Sequence, residues 1–249
     1  MSQEISLELL RKFDPYALSP LREDRIVYFS IKRIMDITIT ISALLIFLPL
    51  IALIAILIRL DSPGPVLFVQ ERIGAKRWSR KGFAYWKRIS FPMYKFRTMV
   101  NNADPTLHRE YMAAFIHNDQ ASMNAIQGGE DHTRKLTSDP RVTRLGKFLR
   151  KSSMDEIPQL FNVLRGEMSL VGPRPAIPYE FEMYEPRHQH RLLAKAGITG
   201  LWQVKARSSA DFDDMVRLDN EYIDNQSLLL DLKILLMTPL VVLSFKGAH

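Results

Sequence analysis

The longest hydrophobic pattern in the chain is an apolar run close to its N-terminal end. Residues 37–58 read ITITISALLIFLPLIALIAILI and carry no charged side chain. As a straight helix rising about 1.5 Å per residue, this run measures roughly 33 Å, enough to cross a hydrocarbon core about 30 Å thick. Buried helices of soluble proteins keep a polar face, whereas this run has only a few hydroxyl residues near its start. The pattern predicts a membrane segment over residues 31–59, following an N-terminal leader over residues 1–30.

The path of this segment depends on a proline and on the flanking charges. Pro49 lies just past the middle of the run, where it removes a helical hydrogen bond and clashes with the preceding turn. Both flanks are basic, with Lys32 and Arg33 before the run and Arg59 after it. Positive charge favours the cytoplasmic side. A re-entrant helix that bends at Pro49 and returns to the same face agrees with both features. A kinked helix that crosses once is the alternative that the residues leave open.

The remaining hydrophobic positions predict one α+β domain over residues 60–249, mostly helical with a small β element. Strands are expected over residues 66–70 and 93–97, and helices over residues 101–117, 142–150, 155–164, 211–223 and 227–245. The polar segment 118–139 is expected to be a loop. The last helix is apolar but contains charged residues, so we interpret it as an interfacial or core helix. The expected anchor is a re-entrant helix broken at Pro49, supported by interfacial amphipathic helices.

Composition narrows the classes of partner. The chain has 249 residues and a net charge of +7, which suits nucleic acid, anionic lipid headgroups or a phosphorylated substrate. The absence of cysteine excludes disulfides and a Cys-based zinc site. Basic and aromatic residues interleave between residues 76 and 97. Beside a membrane segment this mixture favours lipid headgroups over nucleic acid, although a solvated surface loop has the same composition. We expect a phospholipid membrane as partner and no nucleic acid.

The densest polar segment is residues 150–162, which read RKSSMDEIPQLFN. Asp155 and Glu156 are adjacent there, and on a regular helix their side chains would point about 100° apart. Pro158 favours an irregular helix start at this point, and a helix N-terminus stabilises ionised carboxylates. A nucleophile or a Mg²⁺ ligand must be an ionised carboxylate of this kind.

The same spacing permits a purely structural role for Glu156. Ser153 and Glu156 fit a capping box, in which the glutamate reaches back to the serine amide. A capping box accounts neither for Asp155 nor for the neighbouring cations Arg150 and Lys151. Both interpretations of the segment stay open from spacing alone.

Other cations could complete a phosphate site. Arg174 stands between two prolines that restrict its backbone, which suits bidentate phosphate binding, although arginines in turns also pair with local carboxylates. Lys95 and Arg97 are two residues apart on a predicted strand, so they are expected on one face. The sequence has no Walker loop, dinucleotide glycine fingerprint or His-based zinc motif. The histidines lack ligand spacing and are expected at the surface: His108, His117, His132, His188, His190 and His249.

Five segments then occur in a fixed order along the chain. They are QERIG (70–74), YKFRTM (94–99), SMDEIPQLFNVL (153–164), MSLVGPRP (168–175) and GITGLWQ (197–203). Together they resemble the bacterial sugar transferases known as monotopic phosphoglycosyl transferases, and the resemblance extends over about residues 32–238. Each segment alone is weak evidence, whereas the ordered set is specific.

The resemblance implies transfer of a phosphosugar from a UDP-sugar to polyprenol (undecaprenyl) phosphate, with release of UMP. In that family the aspartate of the Asp-Glu pair forms a covalent phosphosugar intermediate, which assigns Asp155 as the nucleophile. Glu156 assists at the metal or in proton handling, and Mg²⁺ held by Asp155 and Glu156 neutralises the diphosphate. Arg150 and Arg174 match family positions near the phosphates, and Lys95 supplies a third cation.

The resemblance also implies a location. Such a protein is monotopic in the bacterial inner membrane, with its catalytic domain (here residues 60–249) on the cytoplasmic side. The family has a re-entrant helix broken at a proline, which Pro49 matches, although Leu48 stands where many members carry a serine. The product would enter synthesis of a surface glycan such as an exopolysaccharide, a capsule or an O-antigen. Residues 76–92 and 118–135 look longer than in small members and are candidates for a homo-oligomer contact.

Overall fold

The computed structural model describes residues 7–20, 25–80, 83–127, 139–206 and 210–243. The helices within these ranges are α1 (Leu7–Phe13), α2 (Ile26–Asp61), α3 (Thr106–Ile116), α4 (Gln120–Gln127), α5 (Arg144–Lys151), α6 (Gln159–Arg165), α7 (Pro178–Glu182), α8 (Leu201–Lys205), α9 (Phe212–Asp224) and α10 (Leu228–Leu243). The strands are β1 (Ala17–Pro20), β2 (Leu67–Arg80), β3 (Phe83–Phe96), β4 (Ser169–Val171) and β5 (Gly197–Thr199). The predicted α+β class, mostly helical with a small β element, is confirmed.

The apolar run belongs to α2, which begins before the predicted segment 31–59 and ends after it. The helix continues through Pro49, so the expected break at this residue does not end it. A proline deletes one backbone donor, but the turns on either side keep their own hydrogen bonds. By length and composition, α2 is the one helix of the described residues that could cross a membrane, and 11% of its most apolar stretch is buried. The re-entrant path stays a prediction.

The strands β2 and β3 form one long antiparallel hairpin, and each strand has 14 residues. β1 pairs with the other edge of β3, so the sheet order is β1-β3-β2. The predicted strands 66–70 and 93–97 are therefore too short. Residues 76–88 show no polar–apolar alternation, because basic side chains there cover aromatic rings. Lys87 Nζ, for example, lies 5.4 Å from the centre of the Trp78 ring.

The expected leader and loop both contain regular structure. β1 lies within residues 1–30, and Lys87 Nζ of the paired strand lies 2.8 Å from Asp14 Oδ2 beside it. Part of the leader thus belongs to the sheet. The segment 118–139, predicted to be a loop, contains α4, and its residues 128–138 lie outside the described ranges.

A buried carboxylate joins the first half of α2 to α10 and α9. Lys32 Nζ lies 3.0 Å from Asp231 Oδ2, and the Tyr28 hydroxyl donates to the same oxygen at 2.9 Å. The hydroxyl of Tyr222, on α9, donates to the other Asp231 oxygen at 2.7 Å. Tyr28 and Lys32 are one helical turn apart, so both reach the same side of α2. These polar contacts fix the first half of α2 on the domain.

An arginine of α2 also caps the end of α6. Arg33 donates from its two terminal nitrogens to the carbonyl of Val163 at 2.5 Å and that of Leu164 at 2.7 Å. A helix leaves its last carbonyls without intrahelical partners, and Arg33 supplies donors for two of them. Close by, Asp36 Oδ1 accepts from the Leu170 amide at 3.0 Å. The segment that carries the candidate chemistry directly precedes α6, so this contact ties it to α2.

The second half of α2 packs on the same domain as the first half. Ile54 and Ile58 are buried in a cluster with Phe96 and Leu149. Ile157 packs against this cluster and also against the central core, which contacts the first half of α2. Both halves of α2 therefore contact one domain on either side of Ile157.

The C-terminal end of α2 is capped from outside the helix. Arg97 lies directly after β3, and its guanidinium donates to the carbonyls of Ser62 at 2.7 Å and Pro63 at 2.6 Å. Lys95, two residues earlier, contacts carboxylates instead. Lys95 and Arg97 thus bind different groups, and the expectation that they share one face stays a prediction.

The central core lies where β4 and β5 pair in parallel beneath α6, α9 and α10. Its buried members include Val163, Met168, Val171, Tyr222 and Ile234. The turn after β4 contains Gly172, where an added Cβ would overlap the carbonyl of Lys195. This close backbone approach requires glycine, and it fixes the following turn, residues 173–175, at the edge of the core.

Candidate active site

The polar segment 150–162 folds as a sharp turn between α5 and α6. Ser153 has a φ angle of +57°, the 3₁₀ turn Met154–Glu156 follows, and Pro158 caps the start of α6. A non-glycine residue in this left-handed region costs on the order of 1 kcal/mol, and such strain concentrates at functional sites. The Ser153 side chain makes no capping hydrogen bond. The capping-box interpretation of Glu156 is therefore wrong.

The two carboxylates of this turn share a lysine. Lys95 Nζ lies 2.7 Å from Glu156 Oε1 and 3.8 Å from Asp155 Oδ2. On the other side, Arg174 Nη1 lies 3.6 Å from the same Glu156 oxygen. The irregular turn thus brings together two adjacent carboxylates that a regular helix would point apart.

Asp155 is buried, with 8% of its surface exposed. Burial raises the pKa of this carboxyl above its usual range, and the charge of Glu156 raises it further. The charges of Lys95, Arg150 and Arg174 act in the opposite direction. Because burial favours the neutral acid, these cations are what keeps an ionised Asp155 accessible at neutral pH.

Arg150 reaches the site from the last turn of α5. Its Nε donates to the Thr98 hydroxyl at 2.9 Å, and burial lowers the pKa of its guanidinium while Asp155 raises it. α5 can approach Thr98 closely because residue 146 is glycine, since an added Cβ there would overlap the Thr98 carbonyl. The helix and the loop after β3 thereby aim one guanidinium towards Asp155.

The structure brings the predicted site residues of the domain into one cluster: Lys95, Arg150, Asp155, Glu156 and Arg174. They come from β3, α5, the 3₁₀ turn and the proline-flanked turn after β4. Their roles in substrate and metal binding stay predictions. Pro49, the predicted membrane break, is exposed on α2.

The chain was compared with known proteins by sequence. A family model described as "Bacterial sugar transferase" matches residues 27–245. This chain belongs to the bacterial sugar transferase family. An undecaprenyl-phosphate galactose phosphotransferase of Salmonella typhimurium is 40% identical over 88% of this chain and 42% of that protein. A galactosyl transferase CpsE of Streptococcus agalactiae is 42% identical over 87% of this chain and 43% of that protein. The exopolysaccharide production protein ExoY of Sinorhizobium fredii is 38% identical over 88% of each chain. The chain thus spans less than half the length of the first two relatives.

In this member of the family a further cation, Arg72, stands beside the cluster. It is buried, and its terminal nitrogens donate to the Pro175 carbonyl at 3.1 Å and the Gln70 side chain at 2.7 Å. Its Nε has no hydrogen-bond partner among the described residues, and burial lowers its pKa to about 10. Arg72, Arg174 and Gln159 line a small pocket. Arg72 belongs to the QERIG segment, but nothing in the spacing of that segment predicts its place at the site.

A histidine also lies at the site. His108 Nδ1 is 2.6 Å from the Tyr179 hydroxyl oxygen, and the ring is near enough to four guanidiniums for their charges to act on it: Arg72, Arg141, Arg174 and Arg150. Burial first, and then these cations, lower the pKa of His108 to about 4. His108 is thus half-buried rather than at the open surface, and the surface expectation is wrong for His188, which is 2% exposed. No motif marked His108, since its neighbours come from distant parts of the chain.

The donors of the family site suit a hard divalent cation. Mg²⁺ prefers oxygen ligands and is commonly held by one or two carboxylates together with substrate phosphates. Asp155 and Glu156 supply two such carboxylates on one turn. The described residues contain no group of three or more ligating side chains that would hold a metal without the substrate. The residues fit a Mg²⁺ ion that is bound together with a diphosphate, and the ion stays a prediction.

Proposed function

We propose that this chain transfers a phosphosugar from a UDP-sugar to polyprenol phosphate and releases UMP, through a covalent aspartyl-phosphosugar intermediate. The observation that carries the proposal is the buried Asp155 carboxylate with Lys95, Arg150 and Arg174 around it. Names of relatives support the substrate classes: one is a UDP-galactose-lipid carrier transferase of Erwinia amylovora and another an undecaprenyl-phosphate glucose phosphotransferase of Komagataeibacter xylinus. The name of ExoY, an exopolysaccharide production protein, supports a place in exopolysaccharide synthesis.

In the first step a carboxylate oxygen of Asp155 attacks the β-phosphorus of the UDP-sugar. A P–O bond forms to Asp155 while the bond to the oxygen that bridges both phosphates breaks, and its electron pair leaves with UMP. Phosphoryl transfer depends mainly on positioning and on neutralisation of charge. Arg150, Arg174 and Lys95 supply fixed positive charge where the negative charge of the transition state develops.

In the second step a phosphate oxygen of the polyprenol phosphate attacks the same phosphorus. The bond to Asp155 breaks and its electron pair returns to the carboxylate, so the enzyme is regenerated and a polyprenol diphosphate-sugar is formed. Neither step requires removal of a proton from the nucleophile, because both nucleophiles react as anions. Lys95, paired with Glu156 at 2.7 Å, stabilises the carboxylate when it leaves.

Asp155 and Glu156 would hold the Mg²⁺ ion, which would supply further positive charge at the diphosphate. Its contribution is testable by removal: UMP release should fall to background in a chelator and return when Mg²⁺ is added. Full activity in the chelator would contradict a metal requirement.

The lipid substrate would reach the site from the membrane. Both halves of α2 pack on the same domain, which supports a helix that dips into one leaflet and returns. Residues 45–48, between the two halves, are exposed. α10 exposes one stripe of leucines, which suits contact with lipid: Leu229, Leu232, Leu236 and Leu240. We place the domain at the cytoplasmic face of the inner membrane, where UDP-sugars are made.

The activity is tested with a panel of UDP-sugars and a short polyprenol phosphate. We expect the wild-type chain to release UMP with at least one donor and to show a sugar-phosphate adduct by intact-mass analysis when the lipid is withheld. Asp155→Asn should lose both signals, because an amide oxygen is a poor nucleophile. Asp224→Asn, at an exposed position, is the matched control and should keep both. Full turnover by Asp155→Asn would contradict the assignment.

The topology has its own test, since the chain contains no cysteine. Single cysteines at the exposed positions Lys12 and Asp224 report the two sides of α2. A re-entrant helix predicts that a membrane-impermeant thiol reagent labels both from the cytoplasmic side. Labelling of the cysteine at position 12 from the opposite side would establish a single crossing.

A further inference from the structure

The pair His108 and Tyr179 sits at the edge of the arginine cluster without a role in the transfer described above. His108 lies on α3 and Tyr179 on α7, and the two side chains meet at 2.6 Å between Nδ1 and the hydroxyl oxygen. Arg109 lies over the Tyr179 ring, 5.1 Å from its centre, and holds the ring from its face. Two separate helices thus converge to orient one imidazole.

The protons of this pair can be assigned from the available acceptors. Burial raises the pKa of Tyr179 to about 12, so its hydroxyl keeps its proton. His108 Nδ1 is the acceptor that lies within hydrogen-bond distance of that hydroxyl among the described residues. A protonated phenol at 2.6 Å from an imidazole nitrogen donates its proton to the lone pair there, so Tyr179 donates and Nδ1 accepts. The neutral ring then carries its proton on Nε2, because the bond at one nitrogen sets the state of the other.

We propose that His108 is a substrate-binding residue whose Nε2–H donates to a phosphate oxygen of the UDP-sugar, and that Tyr179 positions it by holding this tautomer. The inference rests on the proposed function. His108 Nε2 has no hydrogen-bond partner within the part of the chain that the structure describes. Ala176, two residues before α7, pairs with Ile73 beside Arg72, so α7 starts next to the arginine cluster. The charges of Arg72 and Arg174 act on the His108 ring there, and a diphosphate is the ligand that such cations attract.

A neutral donor serves this position better than another cation. Burial, and then the charges of the guanidiniums, disfavour a charge on the ring and lower the pKa of His108. An additional ammonium or guanidinium would repel its neighbours before the substrate arrives, whereas a neutral N–H adds a directed hydrogen bond without that repulsion. The pair therefore orients a phosphate that the arginines attract.

The position in the fold favours the nucleotide over the lipid as the source of the phosphate. α3 packs against α7 and α9, and α7 packs against β2. The membrane helix α2 packs instead against α5, α6, β4 and α10. His108 and Tyr179 therefore lie on α3 and α7, which are not among the main packing partners of α2.

The test compares two amides at position 108. His108→Gln places an amide N–H near the position of Nε2, whereas His108→Asn places one near Nδ1; His108→Leu removes both. The KM for the UDP-sugar and the KM for polyprenol phosphate are measured for each, together with the inhibition constant of UMP. His117→Leu, at the exposed end of α3, is the control for loss of a histidine from the same helix.

We expect His108→Leu and His108→Asn to raise the KM for the UDP-sugar by about tenfold to a hundredfold, the value of one hydrogen bond to a charged group. His108→Gln should recover most of this loss, and the KM for polyprenol phosphate should stay within about twofold in all variants. Tyr179→Phe should give a smaller rise, about threefold, because the ring then divides between two tautomers.

Each contrary result has a distinct meaning. If the wild-type and His117→Leu chains release UMP while all His108 variants keep the wild-type KM, the inference fails and the proposed function stands. Equal losses in the glutamine and asparagine variants would show that His108 only packs. A rise confined to the KM for polyprenol phosphate would assign the phosphate to the lipid and overturn the nucleotide assignment. Absence of UMP release from the wild-type chain with every donor would overturn both proposals.

Discussion

Lys95 Nζ lies 2.7 Å from Glu156 Oε1, closer than its distance of 3.8 Å from Asp155 Oδ2. The lysine is hydrogen-bonded to the glutamate, while its charge still lowers the pKa of the buried aspartate. Glu156 therefore holds the cation in a fixed place beside Asp155, and the aspartate oxygen keeps its lone pairs for other partners. Glu156 thus positions the lysine, and the charge of the lysine acts on Asp155.

Lys95→Met should lower the rate of UMP release by about a hundredfold, the usual cost of removing one preorganised electrostatic contact. Without Lys95, burial and Glu156 raise the pKa of Asp155 further, so the acid limb of the pH–rate profile should move to higher pH. Single-turnover measurements across pH would show both effects. Lys95→Arg keeps the charge and should retain more activity. A Lys95→Met variant with the wild-type profile would contradict this account.

Arg33→Ala should destabilise the domain by about 1–3 kcal/mol, because two carbonyls at the end of α6 lose charge-assisted hydrogen bonds. The change should also lower kcat, since Asp155 lies in the turn that precedes α6. Thermal unfolding and UMP release in the same detergent would measure the two effects. Arg59→Ala removes an exposed arginine from the other end of α2 and should change neither. Equal melting temperatures for the two variants would disprove the capping role.

Asp231→Asn should destabilise the chain by about 3–5 kcal/mol, because the buried ammonium of Lys32 loses its counter-charge. The double variant Lys32→Met, Asp231→Asn should recover part of that stability, because removal of both charges leaves no unpaired ion and the amide oxygen still accepts from a tyrosine hydroxyl. Thermal unfolding of the wild type, the two single variants and the double variant completes the cycle. A double variant that loses as much stability as the two single changes together would show that the two charges do not compensate each other.

The stability of the domain should depend on pH through His108. Its pKa is about 4 in the folded chain and about 6.5 when unfolded. The unfolded state thus binds more protons between these values, and the free energy of unfolding should decrease as pH falls from 6.5 to 4, by up to about 3 kcal/mol. His108→Leu should lack this part of the slope. Denaturant unfolding at several pH values compares the two chains, and identical slopes would show that His108 does not bind protons differently on unfolding.

Much of the candidate site was predictable from sequence because its residues lie in short, local motifs. Asp155 and Glu156 are adjacent, Arg174 has prolines on both sides, and Lys95 lies in a recognisable strand. These local signals gave the types of group needed for phosphate chemistry. Ser153 makes no capping hydrogen bond, and its strained φ angle depends on the packing of the turn, which leaves no mark in the sequence.

Other features depend on contacts between distant parts of the chain and could not be predicted. His108 and Tyr179 are far apart in sequence, so only the packing of α3 on α7 reveals their contact. The long hairpin lacked alternation because Lys87 and similar residues cover rings across the sheet. Arg97 lies two residues after Lys95 but caps α2, and only the packing of α2 beside β3 shows this.

The contacts at the two ends of α2 fix the number of residues that this helix can contain. Arg33 must reach the end of α6, and Ile58 must reach Leu149, along one helix. Inserting one residue between them would turn everything beyond it by about 100° and move it by about 1.5 Å. In this stretch one apolar side chain can replace another at little cost, whereas insertions and deletions cannot be absorbed. The number of residues between Arg33 and Ile58 is therefore constrained more strongly than the choice among apolar side chains between them.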